Sequence, residues 1–172
     1  ICPDRPDVTK ERGPLMKICV CSDSHGNAYG LQTMADREKP DLIWFLGDGE
    51  RDWTEVTLPQ SLPFAAVCGN CDLFSLEPPA REFPYLGHRI LLTHGHRFGV
   101  KSGLEGLLAL AGERGLDLIC FGHTHQPLIH REKGCLFLNP GSMGYGSERY
   151  AILTLEAGVP PQARLCRLSD GD

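Results

Sequence analysis

The sequence predicts an α/β fold in which antiparallel strands extend a sheet of parallel strands. Short apolar runs of strand length recur along the chain, and most lack alternation, which is typical of strands buried on both faces. Segments with helical spacing occupy some of the gaps between these runs. Two later runs alternate between apolar and polar residues, as antiparallel strands with one solvent-facing side do. A mixed sheet is therefore expected.

Each predicted strand stops at a polar residue or a glycine. Six apolar runs rich in Ile, Leu, Val and Phe are predicted as buried strands, at 17–21, 41–46, 64–68, 89–93, 117–121 and 135–138. The segment 82–86, followed by Gly87 and His88, is expected to form a hairpin with the fourth of these runs. The alternating runs at 150–155 and 163–168 are predicted to close a sheet as antiparallel strands.

Two helices are predicted between the strands. Asn27 is suited to cap a helix that runs to Glu38, because its side chain can accept a hydrogen bond from the first turn. Ser102 and Glu105 have the spacing of a capping box, which predicts a second helix that begins there. Gly115 supplies the C-terminal stop of this second helix.

Length, composition and charge exclude several classes of protein. The chain has 172 residues, which is about one domain, and 41% of them are hydrophobic, enough for a buried core. Its 17 basic and 22 acidic residues give a net charge of −5, which makes nucleic acid an unfavourable partner. Since no apolar run approaches the ~20 residues of a membrane span, no membrane partner is expected either.

The eight cysteines are interpreted as buried thiols rather than disulfides. Several lie within apolar runs, such as Cys19, Cys21 and Cys120, where a small hydrophobic side chain fits. Residues 1–15 contain charges and prolines but no apolar stretch typical of a secretory signal, so a cytoplasmic protein is expected. They also lack periodicity, and we expect an N-terminal extension at 1–15 followed by one domain at 16–172.

Polar side chains with metal-ligand chemistry follow five of the predicted strands. Their spacings of 25, 22, 24 and 29 residues each suit one strand with its crossover. Because sites in α/β sheets form beyond the carboxyl ends of the strands, these side chains should converge at one edge. Two histidines stand two positions after members of the set. The whole set is Asp23, His25, Asp48, Asn70, His94, His123 and His125.

Each of these residues also has an ordinary structural interpretation. An Asp after a strand often caps a helix, Gly-Asn often forms a turn, and a lone His often hydrogen-bonds within a loop. The joint occurrence of four of the seven histidines and both carboxylates favours a metal site. No cysteine belongs to the set, which favours Mn, Fe, Ni or Zn over a structural zinc held by thiolates. With two divalent cations and a bridging hydroxide, the cluster would carry about +1 and attract a phosphate.

In their order, these motifs resemble those of the calcineurin-like metallophosphoesterases, most closely the small YfcE-type phosphodiesterases. The motifs are Asp23-Ser24-His25, Gly47-Asp48, Gly69-Asn70-Cys71-Asp72, Thr93-His94-Gly95-His96, Gly122-His123-Thr124-His125 and Asn139-Pro140-Gly141-Ser142. The resemblance implies a four-layer α-β-β-α sandwich with two mixed sheets and a dinuclear metal centre at the strand ends.

The resemblance also implies a role for each ligand. One metal would be held by Asp23, His25 and His125, and the other by the three side chains Asn70, His94 and His123. Asp48 would bridge the two metals, which are expected to be Mn²⁺, with Ni²⁺, Fe²⁺ or Zn²⁺ as alternatives. The implied activity is phosphodiester hydrolysis by a hydroxide that bridges the metals, acting on a small phosphate ester.

Alternatives within the same fold remain open. They are a protein phosphatase, a nuclease, and a non-catalytic scaffold like the retromer subunit, although scaffolds tend to lose metal ligands. Cys71 departs from the broader superfamily, in which many members carry a His that assists the leaving group and that Asp72 would orient. His96 is the candidate catalytic residue that would compensate, although a hydrogen-bonding role beside the ligands is the favoured interpretation. An assembly of identical subunits is a further open possibility.

Overall fold

The computed structural model describes residues 13–171 of the chain. Most of the expected N-terminal extension at 1–15 lies outside the described residues, and its boundary with the domain stays a prediction. The described part begins its regular structure at Met16, the first residue of the first strand. In this part of the chain, no helix is both long and apolar enough to cross a membrane.

Ten strands form two mixed sheets of five strands each. The first sheet has the order β10-β9-β1-β2-β3 and consists of β1 (Met16–Cys21), β2 (Leu42–Phe45), β3 (Phe64–Ala66), β9 (Arg149–Glu156) and β10 (Val159–Arg167). The second has the order β4-β5-β6-β8-β7 and consists of β4 (Ala80–Tyr85), β5 (His88–Thr93), β6 (Leu118–Cys120), β7 (Leu128–Glu132) and β8 (Cys135–Asn139).

Parallel strands form the centre of each sheet, and antiparallel strands extend it. In the first sheet β1, β2 and β3 are parallel, whereas β9 and β10 run antiparallel to their neighbours. In the second sheet β5, β6 and β8 are parallel, and β4 and β7 are antiparallel. The carboxyl ends of the parallel strands therefore present a row of loops at one edge of each sheet.

The two sheets pack face to face between two helices. Because side chains alternate along a strand, Ile18 and Val20 of β1 enter the core between the sheets, while Cys19 and Cys21 face outward. Helix α1 (Ala28–Glu38) covers that outer face, and α2 (Glu105–Arg114) covers the outer face of the second sheet. These layers confirm the predicted α-β-β-α sandwich.

Two elements differ from the sequence-based expectation. The strand β7 was not predicted, because its residues are alternately half-buried and exposed and include charged side chains. The capping box is wrong: α2 begins at Glu105 with Leu104 at its N-cap, and no side chain caps it. Gly103 has φ 152°, far from helical geometry, and the backbone N–H of Ser102 instead donates to Gly99 in a turn.

The predicted thiols and the first helix cap are confirmed. In the described residues all seven cysteines are free, and five of them are buried, including Cys19, Cys21 and Cys120. The side chain of Asn27 accepts a hydrogen bond of 2.9 Å from the backbone N–H of Gly30 in the first turn of α1.

The far end of α1 is joined to the first sheet by a buried carboxylate. Glu38 pairs with the ammonium of Lys17 at 2.8 Å and accepts a hydrogen bond of 2.6 Å from the Tyr150 hydroxyl. Burial acts to raise the pKa of Glu38, but the hydrogen bonds from Lys17 and Tyr150 outweigh it, so the pKa lies below its ordinary value. The charged carboxylate therefore stabilises the folded state.

Glu38→Gln is expected to lower the free energy of unfolding by about 1–2 kcal/mol at neutral pH, because the amide loses the ion pair. Since the folded pKa of Glu38 is depressed, this stabilisation is present above the unfolded pKa and is lost as pH falls below it. Urea denaturation from pH 7 down to pH 4 measures the difference, with the exposed Asp36→Asn on the same helix as the control. A difference that does not shrink on acidification would contradict the account.

Candidate metal centre

The structure brings six of the seven predicted ligands to one edge, in two neighbouring groups of three. Within each group the ligand atoms lie within 4.8 Å of one another. The first group follows β1 and β6, and the second follows β2, β5 and β6. The two groups are Asp23, His25 and His125, and Asp48, His94 and His123. Loops from both sheets thus meet where the carboxyl ends of their parallel strands lie together.

In the first group two imidazoles approach one buried carboxylate. Asp23 is fully buried, and its Oδ1 lies 3.1 Å from Nε2 of His125 and 3.6 Å from Nε2 of His25. The two imidazole nitrogens are 3.4 Å apart, and both rings are partly exposed to solvent. A buried floor and an exposed rim result, with three ligand atoms directed at the same point.

The second group is centred on His94, which is fully buried. Its Nδ1 lies 2.7 Å from the carbonyl oxygen of Leu46. A carbonyl oxygen can only accept a hydrogen bond, so Nδ1 carries the proton of the neutral ring. Nε2 is therefore free of a proton in the neutral ring, and it lies 3.2 Å from Oδ2 of Asp48 and 3.2 Å from Nδ1 of His123. A backbone carbonyl that fixes the tautomer in this way is typical of a metal-binding histidine.

The protonation of the second group reflects its burial and its close charges. Burial acts to raise the pKa of Asp48, but the protonated form of His94, whose Nε2–H can donate, and the Cys71 backbone N–H hold that pKa well below its usual range. Burial acts to lower the pKa of His94, but Asp48 and Asp23 raise it above its usual value. For His123, burial and the neighbouring His94 lower the pKa. The Asp48 carboxylate therefore stays ionised at neutral pH.

Contacts join the two groups into one cluster. Nε2 of His25 lies 3.9 Å from Oδ2 of Asp48, and Nε2 of His94 lies 3.9 Å from Oδ1 of Asp23. Nitrogen and carboxylate oxygen donors in this number suit Mn, Fe, Ni or Zn. The residues present therefore fit a site for divalent cations, whose charge would compensate two buried carboxylates.

A cysteine lies beside the cluster. The thiol of Cys71 forms a third group with His25 and Asp48, within the same 4.8 Å limit. Burial and the charge of Asp48 raise the pKa of Cys71, so the thiol stays protonated at neutral pH. Asn70 is exposed, and its amide nitrogen lies 3.5 Å from the Cys71 sulfur. Asn70 thus lies at the edge of the cluster, and its role as a ligand stays a prediction.

His96 stands beside the second group. Its ring centre is 5.5 Å from that of His94 and 6.1 Å from that of His123. Its Nδ1 is buried and has no hydrogen-bond partner among the described residues. Burial and the neighbouring His94 lower the pKa of His96, so the ring is neutral at neutral pH. It is placed near the cluster without joining it.

Backbone strain is concentrated at the ligands. Ten non-glycine residues in the described part of the chain have a positive φ, and five of them are predicted ligands. Side chains other than glycine avoid this region, and such strain persists only where the surrounding structure holds it. The five are Asp23, His25, Asp48, His123 and His125.

Glycines allow the ligand loops to approach each other closely. A Cβ added at Gly69 would overlap the carboxylate of Asp48, and one added at Gly122 would overlap the Ser22 hydroxyl. In the Gly-Asn and Gly-His pairs, the second residue supplies a predicted ligand, and the glycine before it leaves room for the neighbouring loop.

Asp72 holds the Asp48 loop, a role different from the one the resemblance implies. Its carboxylate accepts four backbone hydrogen bonds, of 2.7, 2.9, 3.0 and 2.8 Å, from the N–H groups of Asp48, Gly49, Glu50 and Gly69. No histidine stands at position 71 for it to orient. We refer to this arrangement of Asp72 and its four donors as the Asp72 clamp.

Two further residues support the ligand loops, and sequence reasoning missed one of them. Asp52 accepts hydrogen bonds from the Ser24 hydroxyl and the Gly26 backbone, which flank His25. The Ser142 hydroxyl donates 2.8 Å to the backbone carbonyl of Asp23. Asp52 has no signal in the sequence, whereas the Asn-Pro-Gly-Ser motif did mark Ser142 for this edge.

Comparisons with known proteins point to one family. The family described as the calcineurin-like phosphoesterase superfamily domain matches residues 16–158. A probable metallophosphoesterase, YsnB, of Bacillus subtilis is 40% identical over 147 residues, which cover 82% of this chain and 85% of that protein. The phosphodiesterase YfcE of Escherichia coli is 27% identical over 154 residues, which cover 75% and 80%.

Solved structures share the fold. A predicted phosphoesterase from Streptococcus pneumoniae superposes with a TM-score of 0.73 at 27% identity, over 90% of this chain and 91% of that one. Vacuolar protein sorting 29 of Cryptosporidium parvum superposes with a TM-score of 0.70 at 16% identity, over 91% and 98%. The second likeness concerns the fold alone.

Asp72→Asn is expected to lower the free energy of unfolding by about 2–3 kcal/mol, because one amide oxygen cannot accept from four donors. The affinity for Mn²⁺ is expected to fall about tenfold, since the clamp positions Asp48. Urea denaturation and titration calorimetry with Mn²⁺ measure the two effects. The exposed Glu55→Gln removes one nearby charge and serves as the control; equal losses in both variants would refute a specific role for the clamp.

Proposed function

This chain belongs to the calcineurin-like phosphoesterase superfamily, and we propose that it is a metal-dependent phosphodiesterase that uses two divalent cations. The observation that carries this proposal is the pair of ligand groups at one edge, with Asp48 between them. The name of the relative YfcE, a phosphodiesterase, supports the choice of diesters. The substrate we propose is a small phosphate ester.

The ligand groups suggest how the two cations are divided. Asp23, His25 and His125 would hold one, and His94 and His123 the other, together with the side-chain oxygen of Asn70. Asp48 would serve both, since its carboxylate faces His94 at 3.2 Å and His25 at 3.9 Å. Mn²⁺ is our first choice for both positions, because the donors are oxygen and nitrogen.

Such cations, when bound, lower the pKa of coordinated water towards neutrality and offset charge on the transferring phosphoryl group. The chain's own residues supply the geometry. Asp23 and His94 form a floor closed to solvent, and His25 and His125 form an open rim where a substrate can enter. The Asp72 clamp fixes the loop of Asp48, so the ligands need little rearrangement.

We assign His96, in its protonated form, the task of giving a proton to the leaving alkoxide; because its pKa is lowered, this form is a minority at neutral pH and grows as the pH falls. It stands beside His94 and His123, and its Nδ1 has no partner among the described residues. Cys71, at the position where many superfamily members carry a histidine, is a weaker hydrogen-bond donor. A positioned acid contributes about 10²–10⁴-fold to the rate. Esters with good leaving groups depend least on this help.

Two equivalents of Mn²⁺ are expected to bind, because the donors divide into two groups. Titration calorimetry gives the stoichiometry, and anomalous scattering from a crystal grown with Mn²⁺ should show two peaks about 3.5–4 Å apart. His25→Ala, which alters one group, should reduce the stoichiometry to one. A single peak in the wild type at saturating Mn²⁺ would show that the centre is mononuclear.

With Mn²⁺, hydrolysis of bis(p-nitrophenyl) phosphate is expected to exceed that of an alkyl monoester in kcat/KM, since nitrophenolate leaves without a proton. Asp48→Asn should abolish turnover while the circular dichroism spectrum stays native. His96→Gln should keep Mn²⁺ binding and lower kcat, more for the poorer leaving group. A wild-type chain that binds Mn²⁺ but hydrolyses neither ester would favour the scaffold alternative, and a preference for the alkyl monoester would exclude our choice of substrate.

A further inference from the structure

A cavity of about 370 Å³ opens directly on the candidate metal centre and has one apolar wall. The ligand side of the cavity is formed by His25 and Asp48 with Cys71. Its other side includes Leu73 and Phe74, from the loop that joins β3 to β4. The volume lies at the low end of small-molecule sites, which span about 300–1,000 Å³. It suits a phosphoryl group with one attached ring, not a polymer.

We propose that Phe74 selects phosphate esters that carry a planar aromatic group, such as an aryl ring or a nucleobase, by stacking against that group. This inference rests on the proposed function, because the metal centre would bind the phosphoryl part of the same molecule. Phe74 acts on the organic part alone and is a specificity-determining residue.

The exposure of Phe74 is the first observation in favour of this role. Its side chain is 95% exposed, so it contributes almost nothing to the core of the folded chain. Its backbone has φ 62°, a conformation that bulky side chains rarely adopt and that clusters at ligand sites. A ring held outside the core, at the mouth of the candidate centre, is available to a ligand.

The loop that carries Phe74 is held at both ends. The Asp72 clamp fixes the residue two positions before it. Beyond it, the Ser75 hydroxyl accepts from the backbone N–H of Glu77, and the Cys68 N–H donates to the carbonyl of Pro78. The ring is therefore presented by an anchored loop, which reduces the entropy lost when a ligand stacks on it.

The two walls of the cavity differ in charge, which implies that they contact different parts of a ligand. The ionised groups that line the cavity include Asp48, Glu50 and Asp72 against one cation, Arg51, so the cavity repels phosphate unless divalent cations are bound. The wall of Leu73 and Phe74 carries no charge. Phosphate affinity should depend on the metals, and discrimination between organic groups should depend on Phe74.

Two non-hydrolysable probes of similar size test this division. Phenylphosphonate has a planar aromatic ring, and cyclohexylphosphonate has a saturated ring of the same number of carbons. Titration calorimetry on the Mn²⁺-loaded full chain gives both dissociation constants without any turnover. The wild type is expected to bind phenylphosphonate about tenfold more tightly, in the range of base stacking on an aromatic side chain. An adenine-bearing acyclic phosphonate, compared in the same way, separates nucleobases from simple aryl groups.

Phe74→Ala should reduce the preference for phenylphosphonate to about twofold and leave the affinity for cyclohexylphosphonate nearly unchanged. Phe74→Tyr should retain the preference, because it keeps the ring. Leu76→Ala is the matched control, since Leu76 is 99% exposed in the same loop but does not line the cavity. Both positions are exposed, so the three variants should fold, and thermal denaturation verifies this.

The outcomes separate this inference from the function on which it rests. Mn²⁺-dependent binding of both probes with equal ratios in the wild type and Phe74→Ala would overturn the role of Phe74 and keep the phosphate site. Failure of the wild type to bind either probe would overturn both proposals. Sedimentation velocity tests the competing occupant: a dimer that Phe74→Ala dissociates, with an unchanged probe preference, would assign the ring to a second copy of the chain instead.

Discussion

Burial of two carboxylates at the shared edge of two sheets is the constraint that the surrounding structure satisfies. Asp23 is fully buried and Asp48 nearly so, and water no longer stabilises their charge. Replacement partners come from several elements: the His94 imidazole and the Cys71 N–H for Asp48, and the Ser22 hydroxyl and His123 N–H for Asp23. These contacts replace only part of the lost hydration, because the two acidic groups lie close together around the same imidazoles. The divalent cations that we propose would complete the balance.

The fold determines where such carboxylates can be held. Parallel strands in both sheets direct their carboxyl ends to one edge, so loops distant in the chain meet there without long excursions. The close approach has a steric and conformational cost. Five ligand residues adopt a positive φ, and Gly69 leaves no room for a side chain beside Asp48. The packed core between and around the sheets provides the stability that tolerates this strain.

The parts of this architecture that the sequence predicts are those with a local signature. Buried apolar runs mark the strands, and the polar residue that ends each run marks a candidate ligand, because both signals depend on near neighbours in the chain. The strand β7 has no such run, since one face of it is exposed. The predicted start of α2 was wrong because Gly103 has a positive φ that is incompatible with a helix, so the spacing of Ser102 and Glu105 does not form a capping box. The Asp72 clamp joins loops more than twenty residues apart, and no local pattern reports such hydrogen bonds.

The loop between β3 and β4 combines two parts with different tolerance to change. Up to Asp72 it is bound to the Asp48 loop by three hydrogen bonds from backbone N–H groups to the Asp72 carboxylate, so a change there moves a candidate metal ligand. Beyond Asp72, residues 73, 74 and 76 expose most of their side chains, so substitution there removes little packing. Because the clamp lies between the two parts, the apolar wall of the cavity can differ without moving Asp48. The proposed metal centre and the proposed recognition of the organic group could therefore vary independently of each other.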